Sequence, residues 1–78
     1  MGIVQVQVSD VRSGQPYPNI EVNVGNQKDT TDDKGVAHFK DVKYPSIAKI
    51  RSQFLKPKEI IVVRDGTYFI QTSSGYAF

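Results

Sequence analysis

Polar and apolar residues alternate one for one along much of this chain. Gln5 and Gln7 separate Val4, Val6 and Val8, and Glu21 and Asn23 separate Ile20, Val22 and Val24. Successive side chains of a strand point to opposite faces, so a period of two marks a strand with one wet side. Strands are predicted from Ile3 to Val8 and across Ile20 to Val24. Ala37 and Phe39 continue the pattern as inward positions, with Val36, His38 and Lys40 outward, and Ala48 and Ile50 do so within Ile47–Ser52. Turn formers fill the gaps: Ser9 to Pro18, Gly25-Asn26-Gln27, Asp32-Asp33-Lys34-Gly35, and a connection from Lys43 to Ser46 around Pro45. Asp side chains bond the backbone two residues on, and Gly supplies positive φ. Asp29-Thr30-Thr31 reads as a short edge strand. Gln53–Lys58 reads as a loop, because Pro57 cannot sit in a central strand. No window carries the three-and-four spacing of a capped helix.

The second half departs from strict alternation. Ile60, Ile61, Val62 and Val63 are four consecutive β-branched residues, and Tyr68-Phe69-Ile70 is a second unbroken apolar run. Asp65-Gly66 between them is a two-residue hairpin signal of the type I′ kind. Glu59–Arg64 and Thr67–Thr72 are therefore predicted to pair as a hairpin. A sandwich strand needs only one apolar face, so this hairpin has a greasy side to spare. Leftover apolar surface marks a contact site. The expected contact residues are Ile61, Val63, Tyr68 and Phe69, with Tyr76 and Phe78 beyond the last strand; the competing reading is that the tail folds back over them. About seven short strands with regular turn signals predict an all-β, seven-stranded, Ig-like or prealbumin-like antiparallel sandwich, residues 1–78 forming one domain.

Composition sharpens this picture. At 78 residues with no cysteine, the chain has a small core and no disulfides, which favours association with itself or a protein partner. The net charge of +2 is too small for a nucleic-acid binder. Residues 1–39 hold three basic and five acidic side chains, and residues 40–78 hold seven basic and three acidic, so the halves differ in sign. The second half suits either an acidic partner or plain solvation. Lys40, Lys43, Lys49, Arg51, Lys56 and Lys58 interleave with Tyr44 and Phe54, but Asp41 and Glu59 interrupt them, and a solvated face is the expectation. No apolar stretch approaches the ~20 residues of a membrane span. Met1-Gly2 runs straight into the first alternating strand, so no secretion signal is expected.

Two segments carry a resemblance. Ser13-Gly14-Gln15-Pro16-Tyr17-Pro18-Asn19-Ile20-Glu21-Val22 and Thr30-Thr31-Asp32-Asp33-Lys34-Gly35-Val36-Ala37-His38-Phe39 resemble the two signature segments of carboxypeptidase regulatory-like domains. Lys56-Pro57-Lys58-Glu59-Ile60 resembles the lead into their late strands. Tyr17 stands where the family usually has Leu, and Ala37 replaces the first of two aromatics. The resemblance implies a prealbumin-like sandwich and leaves the role open, since fold does not fix function.

Candidate chemistry is sparse. His38 is the only histidine, and a general base needs an oriented partner and a nucleophile beside it. Hydroxyisourate hydrolases share the prealbumin-like fold but use several histidines, an arginine and a C-terminal Tyr-Arg-Gly-Ser. Here the chain ends Gly75-Tyr76-Ala77-Phe78, so that enzyme is rejected. An isopeptide bond between sheets would need a Lys on the first strand, and Ile3–Val8 has none. Asp29, Asp32 and Asp33 offer hard oxygens for Ca²⁺, but their spacing is that of a turn. No catalytic residue, metal site or cofactor is expected. The leading expectation is a non-enzymatic structural or docking module of a larger assembly, such as a virion decoration protein or a tail or fibre accessory. The alternative is a glycan- or peptide-binding module with Tyr17, Tyr44 and Phe54 as its platform, although Phe54 is expected to plug the core.

Overall fold

The computed structural model describes residues 2–74. Seven strands form in chain order: β1 (Gly2–Asp10), β2 (Glu21–Val24), β3 (Gln27–Thr30), β4 (Val36–Val42), β5 (Ser46–Arg51), β6 (Glu59–Val62) and β7 (Gly66–Thr72). They make two sheets, three-stranded β4-β1-β7 and four-stranded β3-β2-β5-β6. The all-β sandwich is the one that the alternation predicts. Every pair is antiparallel except β1 with β7, which is parallel.

The alternating residues fill the space between the sheets. Val4, Val6 and Val8 of β1 meet Val22 and Val24 of β2, Ala37 and Phe39 of β4, Ala48 and Ile50 of β5, Val62 and Ile70. Outward residues of the same strands stay wet, so each sheet has one dry face. Val24 pairs with Gln27 across a two-residue loop in which Gly25 has φ +59, the type II′ pattern. In the Asp32–Gly35 turn, the Asp32 carboxylate accepts from the Lys34 and Val36 amides. Gly35 itself has φ +76, and a Cβ there would sit 2.7 Å from the Val8 carbonyl oxygen. β4 carries a bulge opposite the start of β1, where Asp41 takes φ +54.

Two expectations need correction. Leu55 is buried and Phe54 is exposed, so Leu55, not Phe54, plugs the core from the β5–β6 connection. The larger correction concerns Asp65-Gly66: β6 and β7 do not pair as a hairpin. β6 pairs with β5 and β7 with β1, so the chain crosses from one sheet to the other over 63–65. Tyr68 fastens this crossing. Its hydroxyl accepts from the Val63 and Arg64 amides, each at 3.2 Å, and donates to the Arg64 carbonyl at 2.9 Å. That captures the polar backbone of the crossing, in the manner of a tyrosine corner in a sandwich, and leaves no ladder to form between the flanking strands.

Candidate functional site

The crossing redistributes the residues expected to form one contact face. In β6, Val62 is buried and Ile60 half-buried, so Ile61 points away from the core on the outer face of the four-stranded sheet. In β7, Ile70 and Tyr68 point inward, so Phe69 points outward from the three-stranded sheet. Ile61 and Phe69 are 65% and 64% exposed, but on opposite outer faces. Val63 is exposed within the crossing, and Tyr68 is half-buried with its hydroxyl engaged there. Tyr76 and Phe78 lie outside the described residues. The expected single face therefore resolves into two apolar positions on two edge strands, flanking one side of the sandwich.

Ile61 has a neighbour that the sequence reading passed over. Ile47 of β5 is its direct cross-strand partner and is 45% exposed. With Pro45 and Ser46, the two isoleucines line an open groove of ≈ 640 Å³, completed by Asn23, Gly25 and Lys49. A second depression of ≈ 430 Å³ continues along the sheet past Glu21, Lys28 and Arg51. Lys58 and Glu59 flank Lys49 and Arg51 on the far side. This face thus joins an apolar end to four cations, Lys28, Lys49, Arg51 and Lys58, set against two carboxylates, Glu21 and Glu59. Ile47 was legible as an outward residue once Ala48 and Ile50 were placed inward. What could not be read was that β6 lies beside β5.

The other candidates are occupied by structural work. Tyr17 donates a 2.7 Å hydrogen bond to Asp10, which also accepts from the Arg12 and Ser13 amides. That set, the Tyr17 bond foremost, holds the Asp10 carboxyl down at about 2, and the same bond raises the Tyr17 phenol. Tyr44 donates to Asp65 at 2.6 Å. Its partial burial and that bond push its phenol up to about 12, while Asp65 is lowered by Tyr44 and by the Ile3 amide. Tyr17 sits at the Asp10 end of β1 and Tyr44 at the Gly2 end, so the two cannot share one platform. His38 points outward as expected, 3.8 Å from Asp32. Asp29 receives the His38 amide, and Asp32 is held below its usual range by the turn amides it accepts. Among the described residues no three His, Cys, Asp or Glu converge on a metal-sized site.

Comparison with known proteins bears on this architecture. The sandwich resembles that of a chain solved in a cohesin–X-dockerin complex. A chain of the type II cohesin–X-dockerin complex from Acetivibrio cellulolyticus, solved as a C-terminal interface mutant, matches over 96% of this chain with a TM-score of 0.76 and 18% identity. The match spans 59% of that chain. Identity at that level establishes a common sandwich and nothing finer. No protein-family model and no curated protein matches the chain.

Proposed function

We propose that this chain is a non-catalytic docking module that fastens a larger protein assembly, its outer four-stranded sheet seating an extended segment of a partner protein. The observation that carries this reading is the Ile47–Ile61 pair, left in solvent at the mouth of a groove and continuous with a cation-rich strip. Exposed apolar surface rimmed by charge is the anatomy of a contact site. The partner segment has an apolar anchor for the groove and carboxylates for Lys28, Lys49 and Arg51. The structural likeness to a chain from a cohesin–X-dockerin complex supports an assembly role without naming the partner. A role as a virion decoration or tail accessory is one form of this reading. The carboxypeptidase regulatory-like resemblance fits it too, because its two segments meet at one end of the sandwich. There the Val8 amide donates to the Gly35 carbonyl, the Tyr17 amide to the Val8 carbonyl and the Asn19 amide to that of Thr31.

Selection of random peptides displayed on phage against the purified chain tests the proposal. Enriched peptides should pair an aliphatic or aromatic residue with Asp or Glu. Their binding should weaken roughly tenfold or more on Ile61→Lys, in line with loss of a buried anchor, and weaken with added salt. Peptides that ignore Ile61 and Lys49 but lose binding on Phe69→Lys would overturn it.

A further inference from the structure

Each sheet has two outer strands, and three of the four are guarded. β3 is four residues long and carries Lys28 and Asp29. β4 has the Asp41 bulge, and its edge is sealed to β3: the Asp29 carboxylate accepts from the His38 amide, and the Gln27 side-chain amide donates to the Lys40 carbonyl. β6 is four residues long and opens with Glu59. These are the usual devices against unwanted strand pairing. β7 has none of them. Its seven residues, Gly66-Thr67-Tyr68-Phe69-Ile70-Gln71-Thr72, include no charge, proline or bulge, and its register with β1 is unbroken from Gly66 to Thr72. Among the described residues no strand lies on its other side.

The ladder says which backbone groups are free. The Val11 amide donates to the Thr72 carbonyl, so Thr72 faces β1, and by alternation so do Ile70 and Tyr68. The amides and carbonyls of Thr67, Phe69 and Gln71 point the other way. Past them the edge is closed, since the Ser73 carbonyl accepts from the Lys56 amide. The open ladder is centred on Phe69 and is the same length on either side of it.

We infer that two copies of this chain pair through β7, antiparallel across a two-fold axis at Phe69, merging their three-stranded sheets into one. A two-fold pairing sets each residue against its mirror position. Phe69 meets Phe69 of the second copy, Thr67 meets Gln71, and Gly66 meets Thr72. Every free amide and carbonyl of one strand then faces its complement, two bonds to each opposed pair. The Phe69 rings stack on the outer face, and no like charges meet anywhere along the strand. At each end the acidic Asp65 corner of one copy approaches Lys56 of the other. A foreign strand would need its own match to this register, whereas a second copy supplies it by symmetry. This surface is separate from the Ile61 groove, so the two proposals stand or fall independently.

Sedimentation equilibrium of the full chain across micromolar to millimolar concentration tests the inference, together with isotope-filtered NMR on a mixture of labelled and unlabelled chains. The mass should rise from 8.7 kDa towards twice that value. Intermolecular NOEs should connect Thr67 to Gln71 and Phe69 to Phe69. Phe69→Lys, an exposed position that leaves the core intact, should raise the dimer Kd by roughly tenfold or more through like charges set face to face. Ile61→Lys should leave the mass unchanged. A chain that stays at 8.7 kDa throughout, or a dimer whose NOEs arise from the Ile61 face or any other register, overturns the inference. A monomer that still binds acidic-apolar peptides through Ile61 would sink the dimer and leave the docking proposal standing.

Discussion

Tyr68 looked like contact surface from the sequence because it sits in an apolar run. In the structure it is a fastening, half-buried with a hydroxyl that serves three backbone groups of the crossing. Replacing it with Phe keeps the ring and removes those bonds, and should cost about 1–2 kcal/mol, read as a shift in the urea midpoint at unchanged slope. Equal midpoints for Tyr68→Phe and wild type would show that the crossing holds without it. Gly35 is a second single-residue constraint. Ala there must adopt φ +76 and place its Cβ 2.7 Å from the Val8 oxygen and 2.8 Å from Pro16. The conformation alone costs about 1–2 kcal/mol, and the close approach adds to it. Gly14, also at positive φ but with open space around it, should tolerate Ala with only the conformational part. The turn role of Gly35 was legible in the sequence; its packing against Pro16 was not, because the two are distant in the chain.

At the scale of elements, the period-two pattern was enough to find the strands. β1, β2, β4 and β5 fall where alternation puts them, since burial on one face fixes both the strand and its phase. β6 and β7 were found too, but not their partners. An Asp-Gly pair signals a reversal, and a reversal can stay within a sheet or cross between sheets. The Tyr68 hydroxyl reaching back to Arg64 fastens the crossing, and that spacing of four could have served as the clue. Strand phase leaves Ile61 and Phe69, two of the expected contact residues, exposed, while the topology that separates them onto two sheets was not legible in the sequence. Hydrogen exchange tests the β7 assignment at this scale. In dilute solution the amides of Tyr68, Ile70 and Thr72, bonded to β1, should exchange far more slowly than those of Thr67, Phe69 and Gln71. At high concentration the second set should slow as well. Uniform protection across β7 in dilute solution would contradict the free edge.

For the molecule as a whole, each end of the sandwich is closed by one tyrosine–aspartate bond, Tyr17 to Asp10 and Tyr44 to Asp65. The linkage runs in opposite directions for the two partners. Asp10 is depressed from 3.8 to about 2 in the folded chain, so it contributes stability that is complete above 3.8 and fades as pH falls towards about 2. Asp65 acts with the same sign. Tyr44 is raised from 10.0 to about 12, so the folded chain holds its proton more tightly. That contribution is complete below 10.0 and fades as pH climbs towards about 12. The thermal midpoint should therefore form a plateau between about 4 and 10, with an acid limb and an alkaline limb. Asp10→Asn should make the acid limb shallower and, by releasing Tyr17, soften the alkaline one as well; Tyr44→Phe should make the alkaline limb shallower and, by releasing Asp65, soften the acid one. Because the two clasps sit at opposite ends of β1, the double variant should show the sum of the two changes. An acid limb unaltered in Asp10→Asn would mean that the Tyr17 clasp does not set the low-pH boundary of this fold.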